Sequence, residues 1–185
     1  MSSLPRSTLI LGGQRSGKSR LAERMIEEAA GGGVYIATAE RHDDDAEMAQ
    51  RIRTHRARRG AGWVTHEEPL DILPVIMDLA APGRPVLVDC VTLWLSNLMA
   101  AGRDTDAAVD ELADGLAWVK GPVVLVSNEV GLGVIPMNEL ARAFADAAGR
   151  ANQRLAGASA RVLFTAAGLP LVLKDETRKK EGSPE

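Results

Sequence analysis

The chain has 185 residues, 45% of them hydrophobic and 25% charged, which predicts one soluble domain over residues 1–185 with a single buried core. A formal net charge of −3 excludes the strongly basic class of nucleic-acid and membrane-surface binders, so we expect no nucleic-acid partner. Because Cys90 is the single cysteine and no run reaches the roughly 18 apolar residues of a membrane span, we expect a cytoplasmic protein without disulfides or spans.

The first predicted strand, Thr8–Leu11, leads through a glycine-rich loop into a predicted helix, Lys18–Ala30. The loop matches the phosphate-binding pattern G-x-x-x-x-G-K-[ST] in its usual strand–loop–helix setting. Its glycines let backbone N–H groups point at phosphate oxygens, Lys18 brings a positive charge to the β- and γ-phosphates, and the Ser19 hydroxyl is placed to bind a phosphate-bound Mg²⁺. The sequence therefore predicts a site for a nucleoside triphosphate. The predicted binding residues are Gly12, Gly13, Gln14, Arg15, Ser16, Gly17, Lys18 and Ser19.

Short apolar runs alternate with longer helical patterns along the rest of the chain, which is typical of a parallel α/β sheet. The further predicted strands are Val34–Thr38, Val86–Asp89, Val123–Ser127 and Arg161–Ala166. The further predicted helices are Ala46–Arg58, Ile72–Ala80, Leu93–Ala101, Thr105–Val119 and Asn138–Ala156. We expect a P-loop NTPase-like α/β fold, in which helices flank a mostly parallel central sheet.

The end of the chain carries a different signal. A turn at residues 168–170 predicts a last strand, Leu171–Lys174, which would form an antiparallel edge of the sheet. The helix before it has an apolar face at three- and four-residue spacing, made of Leu140, Phe144, Ala147, Ala151 and Leu155. We expect residues 1–7 and the charged tail 175–185 to be flexible.

An acidic residue at the end of a neighbouring strand usually holds the Mg²⁺ of a phosphate loop. Asp89 fits this role, because it follows three apolar residues at the carboxyl end of a predicted strand, where ligands bind in open α/β sheets. Glu129 follows the next strand and allows two interpretations, a second acidic ligand or a carboxylate that caps the loop. We predict Ser19 and Asp89 as the Mg²⁺ ligands.

A basic segment, residues 51–59, places five arginines around His55. Such a segment is often a solvated helix face, and His55 shares a helical face with Met48 and Ile52, so it could pack at the margin of the core. Alternatively, the positive charges would neutralise phosphoryl oxygens and disfavour the imidazolium form of His55. A neutral ring nitrogen is what a nucleophile requires.

Six segments occur in a characteristic order along the chain. They are the phosphate loop, residues 35–39, the run from Arg51 through His55 and Arg59 to Glu67, and then residues 89–98, 127–136 and 149–155. This ordered set resembles the bifunctional adenosylcobinamide kinase/adenosylcobinamide-phosphate guanylyltransferase family over nearly the whole chain. The resemblance implies two reactions of cobalamin biosynthesis. ATP or GTP phosphorylates adenosylcobinamide, and GMP then passes from GTP through a guanylylated histidine to adenosylcobinamide phosphate, giving adenosylcobinamide-GDP.

The resemblance also implies roles for individual residues. The family histidine corresponds to His55, which with Lys18 forms the implied catalytic pair. Further nucleotide contacts are implied at Ala37, Thr38, Ala39, Arg56, Ala57, Arg58, Arg59, Glu67 and Asp89. Asp89 stands where some relatives have glutamate, and Ala39 replaces a hydroxyl residue. Several members of the family are trimers, so a homotrimer is expected.

Two alternatives remain open from the residues themselves. A P-loop kinase of small molecules or nucleotides would transfer a phosphoryl group without any guanylylated histidine. A nucleotide-dependent binding module would transfer nothing, but the Asn-Lys-x-Asp motif of switch GTPases is absent from the sequence.

Overall fold

The computed structural model describes residues 4–39 and 59–177, which build a seven-stranded sheet covered by helices on both faces. The strands are β1 Ser7–Gly12, β2 Gly33–Ala37, β3 Trp63–Glu67, β4 Val86–Asp89, β5 Val123–Val126, β6 Arg161–Ala166 and β7 Leu169–Asp175. The helices are α1 Lys18–Ala30, α2 Ile72–Leu79, α3 Val91–Ala100, α4 Thr105–Gly115 and α5 Glu139–Ala158. None of these helices is long and apolar enough to cross a membrane.

The strands follow the order β3-β2-β4-β5-β1-β6-β7. Strands β1 to β6 pair in parallel, and only β7 runs antiparallel to its neighbour β6. This arrangement confirms the predicted mostly parallel sheet and its antiparallel C-terminal edge strand. Because parallel strands end on the same side, Gly12, Ala37, Glu67 and Asp89 all lie at one edge of the sheet, here called the carboxyl edge.

The core consists of two apolar layers, one on each face of the sheet. Helix α1 covers one face, where Leu21 and Ile26 pack with Tyr35 and Leu87. Helices α2 to α5 cover the other face, where Trp94, Leu112 and Leu155 are among the buried side chains. Covering on both faces explains why the central strands are continuous apolar runs that the sequence reveals directly.

Strand β3 was not predicted. Its five residues carry Thr65, His66 and Glu67, and Val64 is 66% exposed, so no continuous apolar run marks it. It pairs with β2 from Gly33↔Trp63 to Ala37↔Glu67 at the edge of the sheet. An edge strand accepts polar side chains because only one of its sides pairs with the sheet and part of its surface meets solvent.

The end of α4 and the apolar face of α5 differ from the prediction. Helix α4 ends at Gly115 instead of Val119, because the chain leaves the helix through turns in which Ala117 and Trp118 donate to the carbonyls of Asp114 and Gly115. Leu140, predicted on the apolar face of α5, is 72% exposed in the first turn of that helix. The predicted helix Ala46–Arg58 lies outside the described residues.

The last strand is longer than predicted and includes part of the segment expected to be flexible. The carboxylate of Asp175, at the end of β7, accepts hydrogen bonds from the Arg161 guanidinium at 2.9 and 3.1 Å and from the Thr177 hydroxyl and backbone N–H. At the other terminus, Ser7 already belongs to β1 and is buried. The ion pair between Arg161 of β6 and Asp175 of β7 holds Asp175 in the strand, although the charged composition of residues 175–185 predicts a flexible tail.

Candidate nucleotide site

The glycines of the phosphate loop are required by the backbone geometry. Gly12 has φ +150°, and a Cβ atom there would lie 2.3 Å from the Thr165 carbonyl oxygen on β6. Gly17 has φ +100° and immediately precedes α1. Both positions therefore exclude a side chain, as the loop pattern predicts.

Main-chain hydrogen bonds hold the loop to the rest of the sheet. The Ser16 N–H donates to the Gly13 carbonyl at 3.2 Å, and the Ser16 carbonyl accepts from Gly168 N–H at 2.9 Å. Gly168 lies in the tight turn between β6 and β7, so this hairpin supports the loop from one side. On the other side, the Glu129 N–H donates to the Gly12 carbonyl at 3.0 Å.

Lys18 lies at the start of α1 and is only 6% exposed. Its ammonium donates a hydrogen bond to the Gly13 carbonyl oxygen at 2.7 Å. Burial lowers the pKa of Lys18, whereas nearby Cys90 and Asp89 oppose this shift. Burial also raises the pKa of the Cys90 thiol. Lys18 and Asp89 thus come together although they lie 71 positions apart in the sequence.

Asp89 closes β4 at the carboxyl edge, where it is paired with Ala37 of β2 and Val126 of β5. Its Oδ2 atom accepts a hydrogen bond from the Tyr35 hydroxyl at 3.0 Å. Burial, followed by the charge of Asp89, raises the pKa of Tyr35 well above its ordinary value, so the phenol remains a donor at neutral pH. The guanidinium carbon of Arg59 lies 3.4 Å from the centre of the Tyr35 ring, as in a cation–π contact.

The residues predicted after β2 occupy different environments. Ala37 stands directly between Glu67 and Asp89 in the strand register, and Ala39 is half-buried. The Thr38 hydroxyl is fully buried, donates to the Cys90 carbonyl at 2.9 Å and accepts from the Cys90 N–H at 3.0 Å. Asn97 of α3 donates to the Thr38 carbonyl at 2.7 Å. Thr38 therefore ties the end of β2 to the end of β4.

A buried polar network at the end of β5 was not predicted. The Ser127 hydroxyl donates to Asn152 Oδ1 at 2.7 Å, and Asn152 Nδ2 donates to the Asn128 carbonyl at 3.2 Å. Asn128 Nδ2 in turn donates to Thr92 Oγ1 at 2.8 Å. The signal in the sequence is Asn152 itself, a polar residue inside the apolar face of α5 between Ala151 and Leu155.

Glu129 has hydrogen bonds within its own loop and to α5. One carboxylate oxygen accepts from the Gly131 N–H at 2.9 Å, and the other accepts from Asn152 Nδ2 at 3.4 Å. These contacts are those of a carboxylate that caps its own loop.

Of the remaining predicted site residues, Gln14 and Arg15 lie exposed in the phosphate loop, and Ser19 is half-buried in the first turn of α1. Glu67 lies exposed at the end of β3, at the same edge as Asp89. His55, Arg56, Ala57 and Arg58 lie outside the described residues. Of the two residues that border that undescribed stretch, Ala39 follows the end of β2 by two positions, and the Arg59 guanidinium lies over the ring of Tyr35, whose hydroxyl bonds to Asp89.

Comparisons with known proteins decide the family. The family model described as cobinamide kinase / cobinamide phosphate guanyltransferase matches residues 8–173, which include every described site residue. The chain belongs to this family. Its members are bifunctional enzymes, and the chain is therefore an enzyme rather than a binding module.

Two curated relatives align with this chain over almost their whole length. The bifunctional adenosylcobalamin biosynthesis protein CobP of Pseudomonas aeruginosa is 49% identical over 170 residues, which cover 91% of this chain and 97% of the relative. The corresponding protein CobU of Salmonella typhimurium is 42% identical over 183 residues, covering 90% of this chain and 98% of the relative. The solved structure of a KaiC-like protein from Pyrococcus horikoshii aligns with a TM-score of 0.54 and 14% sequence identity. The alignment covers 92% of this chain and 79% of the KaiC-like chain, and it supports the fold alone.

Proposed function

We propose that this enzyme phosphorylates adenosylcobinamide with ATP or GTP and then transfers GMP from GTP to adenosylcobinamide phosphate, giving adenosylcobinamide-GDP. The observation that carries the proposal is the family match over residues 8–173 together with a formed phosphate loop whose buried lysine lies within electrostatic range of Asp89. The family description supplies the two acceptors, and the loop supplies the nucleotide chemistry.

The triphosphate is proposed to bind along residues 12–19. Backbone N–H groups at the start of α1 favour an anion, and the Lys18 ammonium, now bonded to the Gly13 carbonyl, would turn to the β- and γ-phosphates. Ala37, Thr38, Ala39 and Glu67 follow the neighbouring strands at the same edge. We propose them as contacts to the rest of the nucleotide, through backbone groups at the two alanines.

The residues at the loop fit Mg²⁺. This ion prefers oxygen ligands and is usually held by one or two protein groups in addition to phosphates and water. Ser19 supplies a hydroxyl and Asp89 a carboxylate, and no cluster of three or more His, Cys, Asp or Glu residues lies within the described ranges. When bound, Mg²⁺ would neutralise phosphate charge, whereas Asp89 and Ser19 would fix its position relative to Lys18.

His55 is proposed as the nucleophile of the second reaction. A ring nitrogen bonds to the α-phosphorus of GTP as the bond to the bridging oxygen breaks, and pyrophosphate leaves. A phosphate oxygen of adenosylcobinamide phosphate then attacks the same phosphorus, and the nitrogen–phosphorus bond breaks. The support is the resemblance to the family, together with the side chain of Arg59, four positions after His55, which contacts the ring of the tyrosine that bonds to Asp89.

We propose Arg59 as a contact to the nucleotide phosphates. Its Nη1 atom is buried and has no hydrogen-bond partner within the described part of the chain. A buried guanidinium donor at this edge is suited to a phosphate oxygen. Arg56, Ala57 and Arg58 remain proposed contacts from the resemblance.

Mass spectrometry of the intact protein after incubation with GTP and Mg²⁺ tests the proposal. The expected result is a gain of one GMP, mapped to His55 by peptide fragmentation and absent from His55→Ala. The kinase reaction, followed with adenosylcobinamide and ATP, should survive in His55→Ala because it does not use the imidazole. Phosphoryl transfer without any adduct in the unmodified protein would instead identify a kinase without nucleotidyl transfer.

A homotrimer in the cytoplasm is also part of the proposal. Strand β7 supports association with a second copy, because it is an edge strand and four of its apolar side chains are 46–72% exposed, namely Leu169, Leu171, Val172 and Leu173. Exposed apolar edge strands pair readily with another chain unless they are covered.

A further inference from the structure

We propose that Tyr35 is a positioning residue that orients the Asp89 carboxylate through its hydroxyl and holds Arg59 in place on its ring. The inference rests on the proposed function, in which Asp89 binds Mg²⁺ and Arg59 binds phosphate. Tyr35 would thereby set the spacing between the metal ligand and the arginine, without touching the nucleotide itself.

The strand register explains how Tyr35 reaches Asp89. Tyr35 lies directly opposite Leu87, and Ala37 lies opposite Asp89, so Tyr35 and Asp89 are diagonal neighbours on the face covered by α1. Diagonal neighbours on one face are within reach of an aromatic side chain. The hydroxyl donates to Oδ2 at 3.0 Å, and this bond restricts rotation of the carboxylate.

The ring of Tyr35 has a second contact. Arg59 stacks on it with its guanidinium carbon 3.4 Å from the ring centre. The ring is 6% exposed and packed in the layer formed with α1, so it offers a fixed platform instead of a mobile one. One rigid side chain therefore contacts both the acidic and the basic group of the proposed site.

A purely structural role for Tyr35 predicts different behaviour. A core tyrosine would affect stability when changed but would leave the Mg²⁺ requirement unaltered. A positioning residue should alter the Mg²⁺ requirement even when the change leaves the core packed. Tyr35→Phe separates these possibilities, because it keeps the ring and the Arg59 contact and removes only the hydroxyl.

The first experiment observes the contact in the enzyme without substrate. Tyr35 is the single tyrosine of the chain, so protein labelled with ¹³C at tyrosine Cζ gives one resonance. We expect this resonance to shift in Asp89→Asn and to shift on addition of MgADP to the unchanged protein. A resonance that is identical in Asp89→Asn and unmoved by MgADP would overturn the proposal.

The second experiment measures the Mg²⁺ concentration for half-maximal kinase activity. In Tyr35→Phe we expect it to rise about 10-fold, as for loss of a hydrogen bond to a charged group, while binding of metal-free ADP is unchanged. Trp63→Phe is the matched control, because it removes the 3.0 Å hydrogen bond from an aromatic side chain of β3 to Glu27, away from the carboxyl edge. The control should keep the Mg²⁺ requirement of the unchanged enzyme.

The outcomes separate this inference from the proposed function. An unchanged Mg²⁺ requirement in Tyr35→Phe, beside a raised one in Asp89→Asn, overturns the role of Tyr35 alone. An unchanged requirement in Asp89→Asn overturns the metal role of Asp89 and the inference with it. A raised requirement in both variants, with Trp63→Phe unaffected, supports the positioning role.

Discussion

At the scale of single residues, Lys18 is a buried cation in the phosphate loop. The ammonium is almost fully buried, and burial lowers its pKa against the opposing influence of Cys90 and Asp89. Its hydrogen bond to the Gly13 carbonyl satisfies one of three donors. A buried charge with few partners is usually a poor source of stability, which agrees with the proposed role of Lys18 in binding phosphate.

This balance predicts opposite effects of Lys18→Met on binding and on stability. MgATP affinity should fall by about 10- to 100-fold, because a charge-assisted contact to phosphate is lost. The free energy of unfolding should stay the same or rise, because a buried ammonium is replaced by an apolar side chain of similar length. Isothermal titration calorimetry and urea unfolding measure the two quantities.

Lys120→Met provides the control for this experiment. Lys120 is exposed and precedes β5, so it lies at the amino ends of the parallel strands, away from the carboxyl edge. The substitution removes the same charge from the molecule but should alter neither MgATP affinity nor stability. A Lys18→Met enzyme that binds MgATP normally would contradict the assignment of the loop.

At the scale of elements, the last two strands are joined to each other by an ion pair and to the phosphate loop by a main-chain hydrogen bond. Arg161 at the start of β6 binds Asp175 at the end of β7, and the turn between the strands donates from Gly168 to Ser16 in the phosphate loop. One hairpin is therefore fixed by an ion pair at one end and holds the loop at the other.

The ion pair makes stability depend on pH. Hydrogen bonds from Thr177, together with Arg161, lower the pKa of Asp175 to about 2 despite the opposing effect of burial. Because the folded pKa lies below the unfolded one, the contribution of Asp175 is complete above about pH 4 and is lost as the pH falls towards 2. Asp175→Asn should therefore be less stable than the unchanged protein at pH 7, and this difference should shrink below about pH 4.

Urea unfolding of both proteins between pH 7 and pH 3 measures this dependence. Asp78→Asn is the control, since Asp78 is an exposed residue of α2 and should give no such pH-dependent difference. A difference between Asp175→Asn and the unchanged protein that stays constant over the whole range would exclude the ion pair as its cause.

At the scale of the whole molecule, the sequence predicted the features that depend on local patterns. The phosphate loop, the buried central strands and Asp89 each have a local signature, and the structure places them as a parallel sheet requires. Strand β3 has no such signature, because an edge strand tolerates Thr65, His66 and Glu67. The Tyr35–Asp89 bond and the Ser127–Asn152 bond join residues 54 and 25 positions apart, so they follow only from the strand order.

The exposed face of β7 predicts how copies of the chain associate. Leu171 is 61% exposed on this edge strand, so Leu171→Lys should convert the proposed trimer to monomers at micromolar concentration while changing the free energy of unfolding little. Light scattering coupled to size-exclusion chromatography measures the mass. Val64→Lys is the matched control on the opposite edge strand, β3, where the side chain is 66% exposed, and it should leave the trimer intact.

The hydrogen bond between Gly168 and Ser16 joins the β6–β7 turn to the phosphate loop, so association through β7 should affect nucleotide binding. In the proposed trimer, copies that meet along β7 would immobilise the hairpin that supports the phosphate loop. We expect the immobilised loop to bind ADP more tightly, and ADP must then strengthen the association by the same factor. Dilution that separates the copies should weaken ADP binding, and saturating ADP should delay that separation to lower protein concentrations.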